Sequence, residues 1–157
     1  MRLLAALAGA ALILLSSTAV AAEQTREGYV AAVEPICKAN TKANERILSG
    51  VRKQVKEGEL KAAGVQFSKA AKALKKTIGE LKAVPQPSAD AARLGKWLSL
   101  VKTEADLFEA VATKLKAGEK TAAQAMVVRL THNANLANNQ VLAFEFTNCR
   151  LEPSKFT

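Results

Sequence analysis

Residues 88–118, SADAARLGKWLSLVKTEADLFEAVATKLKAG, carry the apolar pattern of an amphipathic helix. Apolar residues recur there at intervals of three and four, which places them on one face of a helix. This stripe consists of Leu94, Leu98, Val101, Ala105, Phe108, Ala112 and Leu115. Ser88 is a candidate N-cap and Gly118 a candidate stop, so the segment predicts one helix between them.

The same spacing recurs on both sides of this segment. It predicts a first helix over residues 25–57, a second over 59–84 and a fourth over about 121–147. Pro35 should kink the first helix, or start a new helix after a short irregular piece. Ser49-Gly50 marks a second weak point. Four helices joined by short connections predict an all-α, antiparallel up-and-down four-helix bundle.

The N-terminal residues have the features of a secretory signal peptide. Arg2 supplies a positive charge, residues 3–15 are apolar, and Ala19 and Ala21 form an A-x-A cleavage pattern. We expect cleavage after Ala21 or Ala22. The alternative is a retained membrane anchor, which would need about 20 apolar residues.

The predicted domain plan has three parts. A signal peptide spans residues 1–22, the helical bundle spans 23–150, and an irregular tail spans 151–157. The bundle is long enough for a core of its own, and the low aromatic content of 4% suits packed helices. We therefore expect an exported protein, located outside the cell or in the cell envelope.

Cys37 and Cys149 are the two cysteines of the chain. An even pair in an exported protein indicates a disulfide. In the antiparallel bundle, the start of the first helix lies beside the end of the fourth, so both cysteines would reach the same pole. The alternative is a redox-active pair, but such pairs are usually close in sequence, as in C-x-x-C.

A short pattern surrounds the first cysteine. Tyr29, Ile36, Cys37 and Asn40 form Y-x6-I-C-x2-N, and Cys149 follows near the C-terminus. This layout resembles a broad set of exported bacterial helical proteins that carry a signal peptide, the I-C-x2-N segment and a late cysteine. The resemblance implies a helical fold and a disulfide, and it carries no known activity.

Positive charge is concentrated in the first half of the chain after the predicted signal. Residues 38–82 contain 12 basic and 4 acidic residues. The second helix presents Lys69, Lys72, Lys75 and Lys76 on one side, and the first adds Arg46, Arg52, Lys53 and Lys56. This pattern predicts binding to an anionic cell-envelope polymer or a membrane surface. The alternative is a solvated face that only keeps the protein soluble.

Other partners and chemistries have weaker support in the sequence. Nucleic acid is not an expected partner, because aromatic stacking residues are missing among the lysines. A protein partner or self-association is the alternative, with Trp97 and Leu100 as its apolar flank.

No catalytic, cofactor-binding or metal-binding residue is predicted. His132 is the one histidine, and we place it on the solvated face of the fourth helix, without ligands one turn away. We also interpret the nearby Asn133, Asn135, Asn138 and Asn139 as a solvent-facing helix surface with flanking hydrogen bonds. The alternative is a polar recognition surface for sugars or another protein. Glu104 and Asp106 point different ways on a helix, so they form no carboxylate pair. Asn40 interrupts an apolar stripe, and we expect it to set helix register.

Overall fold

The computed structural model describes residues 23–155, so the predicted signal peptide lies outside the described residues. The regular elements in this range are helices: α1 (Arg26–Ile47), α2 (Val51–Lys56), α3 (Leu60–Ala83), α4 (Ala91–Lys116) and α5 (Lys120–Gln140). The predicted all-α bundle is confirmed. Between residues 23 and 155, no helix is both long and apolar enough to cross a membrane.

The predicted first helix is split into two. Thr25 caps α1 as expected, since its Oγ1 accepts a hydrogen bond from the Gly28 N–H at 3.0 Å. The helix continues through Pro35 and ends at Ile47. Gly50 then adopts a φ of 80°, a left-handed conformation that suits glycine, and α2 begins after it. The weak point at Ser49-Gly50 is therefore a true break.

The most extensive contact between helices joins α3 and α4. Helix α3 also packs against α1 and α2, and α4 also packs against α5. Helix α3 approaches α4 closely at Gly64, where a Cβ atom would lie 2.9 Å from the Ala112 carbonyl oxygen and 2.8 Å from the Lys116 Cγ. A side chain here would force the two helices apart.

The chain reverses direction after α5. The predicted fourth helix extended to about residue 147, but α5 ends at Gln140 and a short 3-10 turn follows over Leu142–Phe144. Glu145 then adopts a φ of 52°, in the left-handed region. This reversal buries Phe144 and Phe146, which a continuing helix would have carried past the end of the bundle.

Aromatic rings from this C-terminal segment fill one pole of the core. Phe146 packs on Trp97 with ring centroids 5.4 Å apart, and Phe144 contacts Tyr29 edge-on at 6.2 Å. Trp97 is 1% exposed. The prediction that Trp97 forms an exposed apolar flank for a protein partner is therefore wrong, because the returning C-terminal segment covers it.

The two cysteines form the predicted disulfide. Their Cα atoms lie 5.0 Å apart, and the bond joins α1 to the segment after α5. Both cysteines are buried. The bond closes a loop with a sequence separation of 112 residues, which is worth roughly 4–5 kcal/mol in the chain-entropy model.

A carboxylate reinforces the disulfide one turn earlier on α1. Glu34 accepts hydrogen bonds from the backbone N–H groups of Thr147 at 2.8 Å, Asn148 at 2.9 Å and Cys149 at 3.4 Å. Partial burial raises the pKa of Glu34. Its hydrogen bonds from the Asn148 side chain and these backbone groups outweigh that effect, so the pKa lies below its usual value.

The start of α4 is tied to the start of α1. Asp90 is buried and receives two hydrogen bonds from Arg26, each 2.9 Å long, and the Arg26 guanidinium also lies 5.1 Å from the Phe144 ring centroid. These hydrogen bonds hold the pKa of Asp90 below its usual value. Ser88 does not cap α4 as predicted, because its hydroxyl donates to Glu23 and α4 begins only at Ala91.

The described part of the C-terminal tail packs on the bundle. Leu151 and Asn138 exchange two hydrogen bonds: the Leu151 N–H donates to Asn138 Oδ1 at 2.8 Å, and Asn138 Nδ2 donates to the Leu151 carbonyl at 3.0 Å. Pro153 is buried and starts a 3-10 turn. Residues 151–155 contain one short 3-10 turn and no α-helix, and they contact α5. The domain boundary after residue 150 remains a prediction.

Asn40 faces α3 and is half-buried. The Thr77 hydroxyl donates to Asn40 Oδ1 at 3.3 Å, so this polar pair lies within the α1–α3 contact. A role in helix register remains a prediction.

The two helical glycines of α3 should respond oppositely to alanine. Gly79→Ala should raise the free energy of unfolding by about 0.5–1 kcal/mol, because alanine favours the helix and nothing lies within 4 Å of the new Cβ atom. Gly64→Ala should lower it, because the methyl group meets the α4 backbone. Chemical denaturation of both variants measures the difference. Equal stabilisation by the two substitutions would contradict the close approach at Gly64.

Removing the disulfide should destabilise the protein strongly. Replacing Cys37 and Cys149 together by alanine should lower the free energy of unfolding by about 2–5 kcal/mol. Guanidinium denaturation measures this change, and the wild-type protein in the presence of a reductant is the matched control. A variant as stable as the oxidised wild type would show that the bond does not hold the pole closed.

Candidate functional site

The four lysines predicted as an anion-binding face are all exposed on α3. Two of them interact with carboxylates: Lys76 forms an ion pair with Glu80, and Lys75 Nζ lies 3.9 Å from Asp106 Oδ1. Within residues 23–155, no carboxylate pairs with Lys69 or Lys72. The uncompensated charge of this face therefore lies on Lys69 and Lys72.

A second basic row runs along α1. Lys38, Lys42 and Arg46 are exposed and follow one another at four-residue intervals, so they lie on one side of the helix. In the described part of the chain, none of the three forms an ion pair. Sequence reasoning named only Arg46 of this row, although the i, i+4 spacing was the signal that could have identified all three.

An open apolar cleft lies at the α2 end of the bundle. Its volume is about 460 Å³, and α2, α3, α4 and α5 all contribute to its lining. Among its lining residues, Val51, Phe67 and Leu115 are each 2% exposed. Val55 of α2 and Val127 of α5 also line it and are half-buried. No sequence pattern indicates this cleft, because its walls belong to separate helices.

The rim of the cleft is cationic. Arg52 and Lys56 approach it from α2, and Lys120 approaches it from the first turn of α5. Arg52 donates a hydrogen bond to the Ser154 carbonyl, which leaves its charge uncompensated. The remaining polar lining residue is Gln124, so no carboxylate lines the cleft.

The cleft arises from the short helix α2. Gly50 and Gly58 adopt φ values of 80° and 82°, so the chain turns sharply on both sides of α2. Helix α2 packs on α3, while α5 packs on α4. The cleft lies between α2 and α5, and Phe67 of α3 also lines it.

Glu104 and Asn133 form a buried polar pair between α4 and α5. Asn133 Nδ2 donates to Glu104 Oε2 at 2.8 Å and to the Leu100 carbonyl at 3.0 Å. Asn133 is 5% exposed, so the prediction that it faces solvent is wrong. Burial raises the pKa of Glu104 to about 7, and the Asn133 hydrogen bond offsets only part of that rise. This pair connects helices in the core, and neither residue lines the cleft beside α2.

His132 is exposed, next to the buried Asn133. Within residues 23–155, no group of three or more His, Cys, Asp or Glu side chains could hold a metal ion.

No protein-family model, curated protein or solved structure matches the chain. Its function therefore has to be inferred from its own side chains.

The buried Glu104 should make stability depend on pH. Its pKa is about 7 in the folded state and about 4.3 in an unfolded chain, so the folded state binds more protons between these values. Stability should therefore fall as the pH rises from 5 to 8. Glu104→Gln keeps a side-chain oxygen that can accept the hydrogen bond from Asn133. It should reduce the fall in unfolding free energy between pH 5 and 8 by about 2–4 kcal/mol.

Chemical denaturation of the wild type and of Glu104→Gln at pH 5 and pH 8 measures how the free energy of unfolding depends on pH. Glu109→Gln, which removes a carboxylate from the half-buried surface of the same helix, is the matched control. Identical pH dependence in Glu104→Gln and the wild type would rule out this origin.

Proposed function

We propose that the chain is an exported helical module that binds an anionic polymer or membrane surface of the cell envelope through its basic faces. The observation that carries the proposal is the α3 face, where exposed Lys69 and Lys72 have no carboxylate partner within residues 23–155. Lys75 and Lys76 flank them and extend the positive surface. The proposed activity is binding and involves no catalytic step.

The basic row of α1 adds to this surface charge. Lys38, Lys42 and Arg46 are exposed on a rigid helix, so their charges act together on a large anionic partner. A basic residue near an anionic membrane contributes about 1 kcal/mol to binding, and the effect falls off within the Debye length. Binding should therefore weaken as the salt concentration rises.

The proposed export rests on two independent features. Residues 3–15 and the A-x-A pattern have the composition of a signal peptide. The disulfide between Cys37 and Cys149 is of a kind that persists mainly in oxidising compartments.

Neutralising the α3 face should weaken binding. Changing Lys69, Lys72, Lys75 and Lys76 to glutamine should lower the apparent affinity about ten-fold or more, because four charges near the surface are lost. Cosedimentation with phosphatidylglycerol vesicles and retention on dextran sulfate measure the two kinds of partner. Phosphatidylcholine vesicles carry no net charge, so they should bind neither the wild type nor the quadruple variant.

A charge-matched variant separates this face from net charge alone. It carries four glutamines at basic positions elsewhere on the described surface: Lys96, Lys114, Arg129 and Arg150. If the two quadruple variants lose affinity equally, the α3 face is not the binding surface. If neither loses affinity, the protein does not bind these anions by charge.

A further inference from the structure

We infer that the cleft beside α2 is a binding site for a single-chain fatty carboxylate, with the acyl chain in the apolar interior and the carboxylate at the basic rim. This inference goes beyond surface binding, because it assigns a small ligand to a different part of the molecule. The α3 lysines take no part in it. Each proposal can therefore fail while the other holds.

The interior of the cleft suits an alkyl chain. Valine, leucine and phenylalanine side chains from four helices supply the walls, and no side-chain carboxylate or hydroxyl lines them. Val55 and Val127 remain half-buried, so the cleft exposes apolar surface that a ligand could remove from water. Burial of apolar area contributes roughly 25 cal/mol per Å². The volume of about 460 Å³ falls in the range typical of small-molecule sites.

The rim of the cleft selects the charge of the ligand. Arg52, Lys56 and Lys120 come from two different helices, and all three line the cleft. None of the three pairs with a carboxylate in the described part of the chain. Their charges are open to an anion at this position, whereas a cationic amphiphile would be repelled. A fatty carboxylate matches both parts of the cleft, because its carboxylate can pair with the basic rim and its alkyl chain can pack on the apolar interior.

A peptide or nucleotide fits the cleft less well. Phe67 is 2% exposed and offers no open face on which a base could stack. Apart from Gln124, the polar side chains of the lining are all cations, so a peptide backbone would find few hydrogen-bond partners inside.

The test uses laurate below its micelle-forming concentration and the purified protein. Isothermal titration should show saturable binding of laurate, at least five-fold weaker binding of 1-dodecanol, and still weaker binding of dodecyltrimethylammonium. Acetate, which lacks the alkyl chain, should not bind. Equal binding of laurate and dodecyltrimethylammonium would overturn the role of the rim, and no binding of laurate would overturn the site.

Neighbouring valines on α5 provide a matched pair of variants. Val127 lines the cleft, whereas Val128 is 70% exposed and lies outside its lining. Val127→Asp should reduce laurate affinity more than ten-fold, because a negative charge enters the cleft. Val128→Asp should leave the affinity within two-fold of the wild type. Equal effects of the two substitutions would place the ligand elsewhere.

The rim can be tested without altering the core. Changing Lys56 and Lys120 to glutamine affects two exposed side chains, so folding should be preserved even if Val127→Asp fails to fold. The double variant should bind laurate about five- to ten-fold more weakly and 1-dodecanol as the wild type does. Lys69→Gln with Lys72→Gln is the control and should bind laurate normally. Unchanged laurate affinity in the rim variant would contradict the proposal.

Discussion

The joining of α1 to the end of the chain is the constraint on which the bundle depends. Helices α3, α4 and α5 follow one another through short turns and pack as sequence neighbours. Helix α1 contacts α3, but its opposite side would face solvent without the returning C-terminal segment. The disulfide of Cys149 and the hydrogen bonds to Glu34 hold that segment in place. Tyr29, Phe144 and Phe146 are buried as a result.

Beyond this junction the C-terminal segment continues to α2, where Arg52 donates a hydrogen bond to the Ser154 carbonyl. Helix α2 packs on α3, whereas α5 packs on α4. The cleft and its cationic rim lie between α2 and α5. The pole near Tyr29 is therefore closed by aromatic packing, whereas the cleft beside α2 keeps half-buried valines next to basic side chains.

Periodic features of the chain could be predicted from its sequence. The apolar stripes predicted the helices. The stripe of α4 is buried from Leu94 to Leu115, as expected. The pairing of Cys37 with Cys149 followed from the antiparallel order of the helices. The limits of the helices were harder to predict, because Gly50 marks a break only when packing favours the left-handed turn there. Propensity alone could not show that the chain reverses after Gln140.

Features that combine distant residues could not be predicted in this way. Asn133 looked solvent-facing among other asparagines, and only the position of Glu104 on the neighbouring helix explains its burial. Trp97 lies beside the apolar stripe of α4, and this position predicted a surface for a protein partner. In the structure Phe146, which is distant in sequence, packs on Trp97. The predicted lysine face is exposed, yet its division into paired and unpaired charges depends on Asp106 of α4. Each outcome depends on tertiary neighbours that periodicity does not reveal.

The cysteine content also limits how the chain can be oxidised. With two thiols, one intramolecular bond is available, so oxidation cannot scramble connectivity within a single copy. Cys37 is synthesised long before Cys149, and during that interval its thiol has no partner in its own chain. The competing product is a bond between two copies, whose formation rises with protein concentration. Dilution therefore favours the correct monomer, and crowding during synthesis favours a covalent dimer.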